Sequence, residues 1–277
     1  MTVKIYCINL DKRRDRWNSI QEQFSDIKEL EVVRVGAIEH KYGHFGCSMS
    51  HVKAITLYMK DEPFIVIEDD CLIRNKENFY PMLEKILGWL NAHPDQWEIF
   101  NGNPSNAAQD FKCQILNRDL PIVRYNVDQN GGSASFIIYN TSSPNVRNKM
   151  AYFNFKVNSF NYLLRMGHIK KIRSYKHVPV IDNFLARNLV CVTTIPFITT
   201  QIKSYSNIEH IMRNPAINHA IREGLIRQMV EQIMKEQSTT GEKVEVVAEV
   251  VAEEGGKAPV DVPATGAGEG PVDVAPS

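Results

Sequence analysis

The chain has 277 residues, 43 % of them apolar, with 12 Phe and 10 Tyr. That is enough to bury a sizeable core in one large domain. The formal net charge is zero but unevenly spread: from Ser238 to Ser277 eight acids face two lysines, leaving −6 there and +6 on residues 1–237. No dense basic run with interleaved aromatics points to nucleic acid. The five cysteines are widely spaced with no CxxC pair, which argues against a disulfide framework and a thiolate zinc site. The apolar start turns polar after Leu10, too soon for a signal or a span, and predicts a cytoplasmic protein without a transmembrane segment.

Residues 3–8 (VKIYCI) are apolar on both parities and predict a buried strand. Asn9-Leu10-Asp11 breaks it, and Asp11 offers an N-cap to a helix with Trp17, Ile20 and Phe24 on one face. Residues 31–36 predict a second strand. A glycine-containing loop, HKYGHFG, then leads to a helix that Ser48 or Ser50 would cap, with Val52, Ile55 and Met59 on one side. PFIVIEDDCLI (63–73) predicts a third strand running into acids, residues 77–92 a helix, and WEIFNG (97–102) a fourth strand. Alternating strands and helices argue for a mostly parallel, three-layer α/β domain.

Further on, 122–126 and 131–140 predict strands, 143–151 and 158–167 two helices, 190–200 a β segment, and 216–237 a terminal helix. VPVIDNFLARN (178–188) sets Asp182 just past an apolar stretch. Residues 1–237 are thus expected to form one folded domain. Residues 238–277, rich in Ala, Val, Glu, Gly and Pro, are expected to be a disordered, low-complexity acidic tail.

Glu68-Asp69-Asp70 is the strongest local feature. Ligands of open α/β sheets bind at the carboxyl ends of strands, and adjacent carboxylates there repel unless a cation neutralises them. Oxygen ligands suit Mg²⁺ or Mn²⁺. In extended chain Glu68 and Asp70 point one way and Asp69 the other; an acidic turn at a sheet edge is the plainer alternative. Arg13, Arg14 and Arg16 follow the first strand and suit a diphosphate, or else form the polar face of a helix. GHFGCSMSH lacks the ending of a phosphate loop. His51 within it suits a substrate hydrogen bond or a neighbouring carbonyl.

Taken together, IYCINLDKRRDRW (5–17), GHFGCSMSHVKA (43–54), FIVIEDD (64–70), WEIFNG (97–102), GGSASFIIY (131–139), PVIDNFL (179–185) and PFITTQIKSYSNIE (196–209) resemble glycosyltransferase family 25, the lipopolysaccharide-biosynthesis and collagen-galactosyltransferase-like group. The resemblance spans about 200 residues in the family's order. It implies a GT-A-like single catalytic domain with a mostly parallel central sheet flanked by helices. It implies transfer of a hexose, galactose or glucose, from a UDP-sugar with inversion. The acceptor would be a hydroxyl of a glycan, lipid-linked or protein-linked. Asn9, Leu10, Arg13 and Arg16 would stand at the nucleotide-sugar donor, with Gly46, Cys47, Ser50 and His51 shaping its pocket. Glu68 and Asp70 would hold Mn²⁺ or Mg²⁺, and Asp69 would touch the donor. Asp182 is the first candidate for the catalytic base; Asp69, Glu98 and His51 follow. Glu98 and Asn207 depart from the family's usual Asp. The rival expectations are a catalytically inactive nucleotide-sugar-binding protein and a sugar nucleotidyltransferase. The latter would normally place a Gly-rich loop after its first strand, and NLDKRRDRW has no glycine.

Overall fold

In the computed structural model, the described residues are 2–60, 63–104, 112–125, 134–169 and 178–202, three short strand segments (204–205, 212–213, 246–247), and scattered positions between 224 and 235. Among them are the helices α1 (Arg14–Phe24), α2 (Gly43–Tyr58), α3 (Lys76–Ala92), α4 (Pro144–Arg165) and α5 (Ile181–Asn188). The strands of the main sheet are β1 (Val3–Asn9), β2 (Leu30–Gly36), β3 (Phe64–Glu68), β5 (Ile99–Asn101), β6 (Lys112–Asn117), β7 (Ile122–Tyr125), β8 (Phe136–Tyr139), β9 (Cys191–Thr194) and β13 (Val246–Val247). Shorter strands β4 (Cys71–Ile73) and β10 (Thr199–Gln201) pair with each other, as do β11 (Ser204–Tyr205) and β12 (Met212–Arg213).

The main sheet runs β13-β6-β7-β9-β5-β8-β3-β1-β2. Strands β1, β2, β3, β5, β6 and β9 point one way, and β7, β8 and β13 the other. The sheet is therefore mostly parallel in strand direction, with β8 inserted antiparallel between β3 and β5. Asn9, Gly36, Glu68 and Asn101, the last residues of β1, β2, β3 and β5, lie along one edge.

Strand parity sets the layers. Phe64 and Val66 of β3 and Ile137 and Tyr139 of β8 join the core beneath α2, α4 and α5, with Phe45, Phe153 and Phe184. Ile65 and Ile67, and Phe136 and Ile138, join the opposite core beneath α1 and α3, with Ile20, Leu83 and Trp89. Burying each such side chain contributes about 1.5–3 kcal/mol, so β3 and β8, covered on both faces, anchor the fold.

Several local expectations change. Asp11 does not cap α1; Arg13 holds the N-cap position without a side-chain bond, and Asp11 pairs with Arg34 instead. Ser48 and Ser50 lie inside α2, which starts at Gly43; their hydroxyls donate to the carbonyls of His44 and Gly46. The two helices expected over 143–167 are one, capped by Ser143 and carried through 154–158 by the Asn158 Nδ2 to Asn154 Oδ1 bond of 2.6 Å. β3 stops at Glu68, and Asp69-Asp70 form a turn into β4. Positions 224, 227, 228, 230, 231, 234 and 235 are helical, within the terminal helix expected over 216–237. Of the tail, only Val246–Val247 is described, paired with Cys113 and Lys112 of β6; the expectation of disorder otherwise lies outside the described residues. Asn207 does so as well. Among the described residues, no helix is long and apolar enough to cross a membrane.

Candidate active site at the end of strand β3

The acidic triplet is split by the sheet. Glu68 continues the parity of Phe64 and Val66 and turns toward α2. Asp69 turns the other way, toward α1. On the α2 side, His51 Nε2 and the Cys47 thiol each donate to Glu68 Oε1 at 3.1 Å. Cys47 and His51 are four residues apart, hence one above the other on the helix. Burial pushes Glu68 up, but the His51 hydrogen bond and charge and the Cys47 bond outweigh it, and the carboxyl stays below its ordinary value. Burial, with Glu68 and Asp182 nearby, drives the Cys47 thiol well up; Cys47 is thus a donor and not a thiolate nucleophile.

On the α1 side, Asp69 Oδ1 accepts from Arg16 Nη1 at 2.7 Å and Oδ2 from Asn9 Nδ2 at 2.8 Å. Asn9 Nδ2 also donates to the Arg13 carbonyl, and Asn9 Oδ1 accepts from Arg34 Nε. Asn9 and Asp69 therefore lock β1, β3 and the start of α1 together. The expectation of Asn9 at the donor changes accordingly: its amide is spent on this lock, and Asn9 does not line the cavity described next. Burial raises the Asp69 pKa in spite of the Arg16 charge.

Asp70 is different. Among the described residues its carboxylate meets only Gln201 Nε2, at 3.4 and 3.5 Å. Burial, then the charges of Glu68 and Asp69, push it up to about 7 against the pull of Arg16. Glu68, Asp69 and Asp70 line a cavity of about 380 Å³ together with Leu10, Arg16, Gly46, Cys47 and Ser50. Its outer wall is the segment 37–41, with Lys12 beside it. Gly46 lets α2 press on that wall: a Cβ there would lie 2.8 Å from the Ile38 carbonyl oxygen. Ser50 fixes the same contact, its hydroxyl accepting from Ile38 N at 2.8 Å.

Arg13 is not brought in. Its guanidinium is paired with Asp15, and its pKa is raised by that hydrogen bond. Glu98 begins at the opposite edge of the sheet, where Oε2 accepts from Val190 N and Oε1 from Asn145; that location removes it from the base candidates. Asp182 lies near the acids but does not line the cavity. The first turn of α5 is held to α2 by Ile181 N donating to Ser48 Oγ at 3.1 Å. Burial, then Glu68 and Asp70, raise the Asp182 pKa well above the carboxylate range, and Oδ1 has no hydrogen-bond partner among the described residues. His51 Nδ1 and the Tyr139 hydroxyl are also buried and unpartnered there. Burial and then Asp182 raise the tyrosine's pKa, which places it in the same electrostatic neighbourhood.

Sequence reading misses Lys12, Lys41 and Tyr139. Lys12 and Lys41 are legible only as solvated charge, and Tyr139 only as strand. A divalent cation fits the donors present. Asp70 offers a hard carboxylate with weak protein partners at the cavity wall, Glu68 a second, and the buried repulsion among the acids is what a cation would relieve.

No family model matches the sequence, and no curated protein matches it. Among solved structures, a mannose-1-phosphate geranyltransferase from Thermus thermophilus superposes at a TM-score of 0.36 and 8 % identity, over 70 % of this chain and 73 % of that one. A superposition this loose carries no functional argument.

Proposed function

We propose that the protein is a metal-dependent glycosyltransferase that moves a hexose from a UDP-sugar to an acceptor hydroxyl with inversion. The observation that carries this is Asp70: a cavity-lining carboxylate whose side-chain contacts among the described residues are long, with the charges of Glu68 and Asp69 close by, sharing a nucleotide-sized space with Lys12, Arg16 and Lys41. Glu68 and Asp70 would hold Mn²⁺ or Mg²⁺, which when bound stabilises charge on the departing diphosphate. Arg16 holds Asp69 in place, and both present polar edges to the donor. Cys47 and His51 fix the Glu68 rotamer from behind. Lys12 and Lys41 offer cations to phosphate oxygens. Asp182 is the residue assigned to take the acceptor proton, in its ionised form, which its raised pKa makes more abundant as pH rises; its Oδ1 is otherwise unpartnered among the described residues.

The test is hydrolysis and transfer from UDP- and GDP-sugars with and without Mn²⁺, in the wild type and in Asp70→Ala. Asp70→Ala is expected to abolish turnover and the rise in melting temperature that Mn²⁺ gives. Unchanged turnover in that variant sinks the metal assignment. The same cations beside the acids would also receive a nucleoside triphosphate, so a sugar nucleotidyltransferase is the second reading. Pyrophosphate release from UTP and a sugar 1-phosphate, without UDP-sugar hydrolysis, would select it. Donor binding without either reaction would leave a binding protein.

A further inference from the structure

Helix α4 is apolar on two opposite faces. One face, Val146, Met150, Phe153 and Val157, is buried in the core. The other is open: Tyr152 is 52 % exposed, Phe155 67 %, Tyr162 61 % and Leu163 40 %, with Met166 at 57 % just past the helix end. At about 100° per residue these five side chains share roughly a third of the circumference. Single exposed apolar residues are normal, but a contiguous aromatic stripe marks a contact surface.

The charge on the helix indicates what the contact is. α4 carries Arg147, Lys149, Lys156 and Arg165 and no Asp or Glu. Helical spacing sets Lys149 and Lys156 along one border of the stripe and Arg147 and Arg165 along the other. Arg147 is tied to the Thr141 carbonyl, and the Lys156 ammonium lies 5.3 Å from the Tyr152 ring centre. Aromatic residues flanked by basic side chains that reach past them are the composition of a helix lying in a lipid headgroup layer. Two copies of this face would bring like charges together, which disfavours self-association through it. Along one flank of the stripe runs a groove of about 700 Å³ between α2 and α4, with Asn158, Asn161 and Arg165 on its α4 side. It shares the segment 38–41 with the cavity at β3.

We propose that the outer face of α4 seats the protein peripherally on an anionic lipid surface. The surface stands on its own observations. Where the transferase reading also holds, it places lipid-borne acceptors beside the groove that borders the donor cavity.

The experiment is flotation of the full chain with phosphatidylcholine vesicles, with and without phosphatidylglycerol, at low and high salt. Two variants accompany the wild type: Tyr152→Ser/Phe155→Ser/Tyr162→Ser and Lys156→Glu/Arg165→Glu. All five positions are exposed, so circular dichroism and melting temperature are expected to match the wild type. The wild type should float with anionic vesicles, less so at high salt, and each variant should lose about tenfold in vesicle affinity. No flotation with anionic vesicles overturns the proposal, as does equal flotation of both variants. Binding that appears only after deletion of 238–277 would make the tail the occupant of this face. A wild-type dimer broken by the serine variant would make it a second copy. Either result overturns the lipid assignment. Flotation is read without turnover, and UDP-sugar hydrolysis without lipid, so failure of one reading is distinguishable from failure of the other.

Discussion

Arg16 and Asp69 are 53 positions apart in sequence, yet Arg16 Nη1 donates to Asp69 Oδ1 at 2.7 Å with both side chains about nine-tenths buried. The bond ties the first helix to the turn after β3, and so one wall of the cavity to its floor. A buried ion pair adds little net stability over an apolar pair of similar volume, but breaking it strands a charge. Arg16→Ala is therefore expected to destabilise by about 3–5 kcal/mol, read by urea denaturation at pH 7. Arg16→Met combined with Asp69→Leu should recover most of that loss while abolishing the proposed sugar transfer. A single Arg16→Ala loss below about 1 kcal/mol would show the pair to be solvent-screened.

Asp70 sets a pH dependence of definite sign. Its pKa is about 7 in the fold against 3.8 as a free carboxylate. Between these values the folded state holds the proton more tightly than the unfolded state, so stability falls as pH rises through the window. In chelator-treated protein, Asp70→Asn should be more stable than the wild type at pH 8 by roughly 4 kcal/mol and nearly equal to it near pH 4. Parallel stability curves for the two proteins from pH 4 to 8 would contradict this.

Gly46 tests the wall. An added Cβ would meet the Ile38 carbonyl oxygen at 2.8 Å and His40 Cβ at 3.2 Å, and the first of these is backbone that cannot rotate aside. Gly46→Ala should cost about 1–3 kcal/mol. It should also push 38–40 away from α2, raising KM for the donor more than it lowers kcat. A melting temperature and KM equal to those of the wild type would mean that the wall yields freely.

How much of this is legible in the sequence depends on the range of the interaction. β3 and β8 can be read because burial on both faces forces an unbroken apolar run, and the acids after Ile67 can be read because they end it. The split of the triplet between two helices follows from parity alone. The partners do not: Arg16 is indistinguishable from Arg13 within DKRRDRW, and only the packing of α1 against β4 sends one inward to Asp69 and leaves the other on Asp15. α4 reads as two helices because the break expected between 143–151 and 158–167 contains Asn154, a weak helix former, whereas in the helix Asn154 is half-buried and accepts from Asn158. Ser48 reads as a cap because its true partner, the backbone of Ile181, is 133 residues away. β6 escapes sequence reading because KCQILN alternates only over its first four residues and gains its place by pairing with β7.

That same Ser48 contact gives the sharpest test of the base. It holds the first turn of α5 against α2, so the backbone positions Asp182, whose Oδ1 has no partner among the described residues. Burial beside Glu68 and Asp70 makes its ionised form costly, a cost that a purely structural residue would shed. Asp182→Asn keeps the shape and removes that charge. It should leave the melting temperature at pH 7 unchanged or higher, and leave UDP-sugar affinity unchanged, since Asp182 does not line the donor cavity. Transfer to the acceptor should fall by about 10²–10⁴, the usual contribution of a general base. If transfer persists in Asp182→Asn, the proton goes elsewhere, and the buried Tyr139 hydroxyl, which lies in the same electrostatic neighbourhood, becomes the next residue to replace. If donor affinity falls together with transfer, Asp182 acts through Glu68 and Asp70 on the donor and is a positioning residue, not the base.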